Sequence, residues 1–138
     1  MNDSLQSLQT MAEEERRGKS KEMLDAAQYR ETVSAMENGD TKAKTKVAFY
    51  KLTGLGGAEV DEDEAVVLLE ERAKDGDSEA KWMLGLCCEY GMGIEQDIER
   101  AKLLYQQSYK AGNFVGEFLW WNGEGDSESG IVNESSGL

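Results

Sequence analysis

A chain of 138 residues supplies one hydrophobic core, and 39% hydrophobic with 31% charged residues describes neither a membrane protein nor a wholly disordered chain. Its 28 acidic residues outnumber 15 basic ones, for a net charge of −13 without a net-basic segment, which argues against a surface that binds nucleic-acid phosphates. The absence of His removes imidazole bases, His-ligated zinc and Ser-His-Asp or Cys-His catalysis.

Without Pro, and rich in Ala, Leu, Lys and Glu, the chain reads as helical, with Gly as its punctuation. Met1 to Lys21 carries charges at Asp3 and over Glu13 to Arg17 with no apolar run between, so it lacks the core of a signal peptide. We expect residues 1–19 to be a charged helical segment, with helices at about 4–17 and 20–37. Junctions then recur at Asn38-Gly39-Asp40, Asp75-Gly76-Asp77 and Ala111-Gly112-Asn113, each a Gly suited to a left-handed helix end followed by an N-cap residue. Between them the pattern predicts helices over 41–53, 62–74, 78–90 and 97–110, then 114–121. The two full units align: Ala43 with Ala80, Val47 with Leu84, Gly54 with Gly91, Gly56 with Gly93, then Asp61 with Asp97, Ala65 with Ala101 and Leu69 with Tyr105. Helix pairs repeated at this period stack into a solenoid, each unit burying its apolar stripe on the next. The fold expected is an all-α, short right-handed solenoid of antiparallel helix pairs, with a repeat domain over 20–122. Its units are 20–40, 41–77 and 78–113, with a capping helix at 114–121. Residues 123–138, rich in Gly, Ser and acidic residues, are expected to form a flexible tail.

The run Ala80 to Gly85, with Gly91, Gly93, Asp97, Ala101, Tyr105 and Gly112, resembles a Sel1-like repeat, a relative of the tetratricopeptide repeat. Residues 41–77 match less well: Val47-Ala48 stands where Leu-Gly is usual, and Lys51 and Cys88 replace a usual Tyr. The resemblance implies a noncatalytic scaffold or adaptor presenting a curved helical surface to a protein or peptide, without shared catalytic residues.

Candidate sites were weighed on their chemistry. The glycine turns follow helices and precede acidic residues, so they do not suit a phosphate. The acidic runs 59–64 and 122–128 lack the spacing of a calcium loop. Cys87 and Cys88, adjacent and late in a helix beside Glu89, read as packing thiols in a reducing compartment, here the cytoplasm. No cofactor, metal, nucleic-acid or membrane partner is expected. The first helices of solenoid units line the concave side, so Lys44, Lys51, Lys81 and Glu89 are the polar partner-binding candidates. Phe114, Phe118 and Trp121, widened by Val115, Leu119 and Trp120, read either as a cap docked on helix 97–110 or as an aromatic anchor for a partner. The contrasting reading of the whole chain is a carboxylate-dependent hydrolase or the regulatory subunit of an enzyme complex. Paired carboxylates, however, need a shared cleft that a shallow solenoid groove does not offer.

Overall fold

The computed structural model describes residues 2–131, with side chains over 4–122. Six α-helices follow one another: α1 (Asn2–Glu37), α2 (Ala43–Thr53), α3 (Glu62–Lys74), α4 (Ser78–Tyr90), α5 (Ile98–Lys110) and α6 (Phe114–Ile131). No strand occurs among the described residues. The four central helices sit where the sequence pattern puts them, and three of them, α3, α4 and α5, begin at an Asp N-cap. Asp61, Asp77 and Asp97 accept the amides of Glu64, Glu79 and Arg100, which satisfies donors otherwise orphaned at a helix start.

Packing follows the repeat. α2 pairs with α3 and α4 with α5, while α3 also meets α4 and α5 meets α6. The first helices adjoin in a rank, α2 beside α4 and α4 beside α6, whereas the backbones of α3 and α5 stand farther apart and are bridged by the Arg100–Glu70 ion pair at 2.6 Å. The second helices are therefore splayed and the first helices form the inner side of the curve. Val47, Ala48, Leu69, Leu84, Cys87 and Cys88 make the centre of the core, with Ala65, Ala80 and Ala101 letting the backbones approach. Gly85 does the same for α5, since a Cβ there would press into the Tyr105 ring.

Two expectations need correction. The two helices expected over 4–17 and 20–37 are one, α1, with Gly18 inside it. A lone Gly costs a helix only about 1 kcal/mol and does not end it without a left-handed turn. At the other end, α6 does not stop at Trp121 but continues to Ile131, so part of the expected tail is helical and residues 132–138 lie outside the described residues.

The glycine turns show what α1 is. Gly93, at φ +70°, lies so close to the Glu62 carbonyl at the head of α3 that no Cβ would fit. Gly56, at φ +66°, makes the same approach to the Asp25 carbonyl of α1, at 2.7 Å from an added Cβ. Asp25 thus holds the place of Glu62, and residues 25–37 of α1 are the second helix of a unit that lacks its first. Residues 4–24 extend beyond the packed unit with every side chain exposed.

Candidate functional site

The lysines singled out from the sequence do not form an open strip. Lys44 turns toward α3 and pairs with Glu71 at 2.6 Å, and Lys51 pairs with Glu64 of the same helix at 3.3 Å. Lys81 repeats the position of Lys44 one unit on, but Gln107 stands where Glu71 would be, and Lys81 has no ion-pair partner among the described residues. Glu89 accepts the Tyr105 hydroxyl at 2.6 Å, which ties α4 to α5. Trp120 is half-buried and packs against the core. Lys44 and Lys51 are thus turned toward the paired helix α3, each held in an ion pair.

The inner rank is instead lined by Lys46 and Phe49 of α2, then Glu79, Leu86 and Tyr90 of α4. Phe49 is 36% and Tyr90 66% exposed, and Lys46, Phe49, Tyr50 and Glu79 enclose a shallow hollow of about 160 Å³. Lys46, Glu79 and Leu86 stand three or four positions from the buried Ala43 or Met83, and this spacing rather than charge is the signal that finds them.

The polar anchor beneath the inner rank is Asp77. Its carboxylate takes the Thr45 hydroxyl at 2.6 Å, the Glu79 amide at 3.0 Å and the Arg72 guanidinium at 3.4 Å, joining α2, α3 and α4. Burial pushes this carboxyl up, but the Thr45 hydroxyl, the Glu79 and Ala80 amides and Arg72 outweigh it, and Asp77 lies below the ordinary carboxylate range. A carboxylate held ionised in this way fixes a helix start and is unsuited to act as a general acid. Cys87 and Cys88 are both free and buried; burial first, then Cys88 and Glu62, pushes the Cys87 thiol up to about 12. Burial also raises Cys88. Both thiols stay neutral at pH 7, as packing groups.

At the N-terminal end the missing first helix leaves a groove of about 650 Å³ between α1 and α2, lined by Gln28, Glu31, Thr32, Asp40, Lys46 and Tyr50 among others. Gln28 and Glu31 hold the places that Ala65 and Leu68 hold in α3, so this groove is polar where a filled one is apolar.

A Sel1 repeat model matches residues 41–77 and again 78–113, just over half of the chain, and the chain belongs to the Sel1 repeat family. It shares 33% identity over 79 residues with the DAP3-binding cell death enhancer 1 of Rattus norvegicus and 34% with that of Mus musculus. Each match covers 57% of this chain but 15% of the relative. Among solved structures, a protective antigen of uropathogenic Escherichia coli with an SLR fold superposes with a TM-score of 0.63 at 21% identity, over 81% of this chain and 22% of that one. A Sel1 repeat protein from Oxalobacter formigenes gives 0.60 at 26% identity, over 70% of this chain and 39% of that one. The helical-repeat fold expected from the sequence is thus the fold found. No helix among the described residues is long and apolar enough to cross a membrane.

Proposed function

We propose that this chain is a noncatalytic protein–protein interaction module, a scaffold or adaptor whose inner rank of first helices receives a protein or peptide partner. The observation that carries the reading is the inner rank itself: Phe49 and Tyr90 stand exposed on the same side as Leu86, with Lys46 and Glu79 as the polar groups at the centre. Aromatic residues with a few charges around them are the usual anchors of protein recognition. The rat and mouse relatives are named for binding a protein, DAP3, which supports a protein rather than a small molecule as partner. The surplus of acidic residues favours a partner with a basic patch. Two adjacent, free and buried thiols fit a reducing compartment, and we assign the module to the cytoplasm on that ground.

The test is site-directed photo-crosslinking in the native cell. A photoreactive phenylalanine at Tyr90, on the inner rank, is expected to trap a discrete protein partner, whereas the same group at Val67, 58% exposed on α3, is expected to trap none. Equal products at both positions would end the inner-rank reading.

A further inference from the structure

Three contacts define which face of α4 its partner helix covers. Ser108 Oγ donates to the Ser78 carbonyl at 2.8 Å, Tyr105 Oη donates to Glu89 at 2.6 Å, and the Tyr105 ring lies against Gly85. Ser78, Trp82, Gly85 and Glu89 therefore make one stripe at helical spacing. The N-caps fix the register onto α6: Asn113 accepts the amides of Val115 and Gly116 as Asp77 accepts that of Glu79. The matching stripe of α6 is Phe114, Phe118, Trp121 and Gly125.

The first three of these are 84%, 64% and 51% exposed. Tyr109 of α5 meets the edge of Trp121, with ring centroids 6.1 Å apart, while Gly116, Leu119 and Trp120 carry the docking of α6. The expectation that the aromatic stripe itself docks on helix 97–110 is therefore corrected; α6 uses its neighbouring face. The helix then runs on past Ser127, the place at which Gly91 turns the chain back after α4, so no second helix returns over the stripe among the described residues.

We propose that this stripe is a docking site for an amphipathic helix of another protein, seated on α6 as α5 is seated on α4, with basic flanks and a small residue opposite Trp121. The proposal rests on the reading of the chain as an interaction module and names a second surface for it. Size sets one requirement: Gly85 is small and receives the large Tyr105, whereas α6 puts the large Trp121 at that place, so the incoming helix needs Ala, Gly or Ser where α5 has Tyr. Charge sets the other. α6 carries Glu117, Glu124, Asp126 and Glu128 and no Lys or Arg, and α5, which covers the equivalent face of α4, carries Arg100, Lys102 and Lys110. A second copy fits less well. Each copy carries −13, and its own unpaired second helix, α1, would set Gln28 and Glu31 against Phe118, burying polar groups without partners.

The probe is a blocked peptide of residues 97–113 bearing Tyr105→Ala, titrated into the full chain and followed by tryptophan emission, to which the peptide contributes nothing. Saturable binding is expected. It should weaken at least about tenfold in the Phe114→Glu, Phe118→Glu variant and at least about threefold when Tyr105 is restored in the peptide. The milder Phe118→Ser should weaken it in the same direction. Both variants alter exposed side chains and are checked for an unchanged helical spectrum. Binding that is equal in the variants, or absent up to about 1 mM peptide, where any affinity would be below roughly 4 kcal/mol, overturns the proposal. So does Phe118-dependent self-association of the chain alone in sedimentation, which would give the stripe to a second copy. Failure of the peptide alongside trapping at Tyr90 removes the α6 surface and leaves the interaction module standing; peptide binding without trapping at Tyr90 removes the inner rank as the binding surface and leaves the α6 surface standing.

Discussion

The two ends of this solenoid are unfinished in opposite ways. At the N-terminal end a second helix, α1, stands without its first, and the groove so left is lined by Gln28, Glu31, Asp40 and Lys46, side chains that are content in water. At the C-terminal end a first helix, α6, has no second helix over it among the described residues, and the face so left is Phe114, Phe118 and Trp121. A repeat array must protect its ends, and capping units do so with polar outer faces. One end follows that rule. The other keeps the apolar face of an interior helix exposed on an otherwise acidic surface, which is the ground for the docking site proposed there.

The largest expected effect tests whether α1 is truly held as an interior second helix is held. Gly93→Ala should cost about 3–4 kcal/mol, because the left-handed backbone is strained with a side chain and the new Cβ meets the Glu62 backbone. Gly56→Ala repeats the strain and meets the Asp25 carbonyl, but it loosens only the terminal helix. Its cost should be roughly 2 kcal/mol, with hydrogen-exchange protection lost over residues 25–37 before the rest. Urea midpoints give both numbers; equal losses would show that α1 is as integral as α3.

Within α6 the comparison can be made face against face. Trp120→Ala, which empties a half-buried site against the core, should destabilise by about 2–3 kcal/mol. Phe118→Ser, on the exposed stripe, should stay within about 0.5 kcal/mol of the parent. A comparable loss for both would mean that the stripe is covered in the folded chain after all.

The interior junction gives a smaller and pH-dependent effect. Asp77 has its folded value depressed, so the stability it contributes is present above the unfolded carboxylate value of 3.8 and is lost as pH falls below it through the folded value. The Asp77 side chain keeps 19% of its surface exposed, which limits the effect through solvent screening. Asp77→Asn retains N-cap chemistry, so its helix start should survive while the acid-side slope of stability below pH 4 becomes shallower. Asp40 and Asn113, at the same junction toward either end, provide the contrast. Asn113 cannot titrate, and the Asp40 carboxylate takes only the Lys42 amide, at 3.0 Å. An acid slope unchanged by Asp77→Asn would dismiss the junction as a source of pH dependence.

Much of this architecture was legible in the sequence, for reasons that can be named. Glycine spacing located α2 to α5 because a Gly acts locally, through a left-handed turn, and α3 to α5 each begin at an Asp whose side chain caps the helix, whereas α2 begins at Lys42 without one. The ends were less legible. Gly18 looked like a break because a Gly at a helix end and a Gly within a helix differ only in backbone angle. The role of residues 25–37 rests on a contact with Gly56, a turn some thirty residues away, and no local pattern encodes it. Lys44 and Lys51 stand out in the sequence for their charge, but no local pattern encodes their pairing with Glu71 and Glu64 of α3, whereas Lys46 and Phe49 lie open beside Glu79. Choosing between cap and anchor for the α6 aromatics needed Gly116, whose backbone lies so close to Ser108 that it, and not Phe114 or Phe118, sets the docking face.

The smallest expected change in stability carries the sharpest test of the comparison between the ends. Gln28→Leu with Glu31→Leu gives the N-terminal groove the chemistry that Ala65 and Leu68 give the equivalent face of α3, while altering only exposed side chains. Monomer stability should move by no more than about 0.5 kcal/mol. Association should change far more. The groove then matches the α6 stripe in both shape and polarity: α6 is a first helix seeking a second, α1 is a second helix seeking a first, and Thr32 supplies a small residue at the place facing Trp121. Such a contact joins the head of one copy to the tail of another and does not close, so it builds open chains rather than dimers. Sedimentation should show the parent as a single species and the double variant as a ladder that grows with concentration and with salt, which screens the −13 carried by each copy. Adding Phe118→Glu should return the variant to the parent's behaviour. If the double variant sediments as the parent does, polarity at Gln28 and Glu31 is not what keeps the two ends apart, and the contrast between a water-adapted end and an interaction-ready end fails.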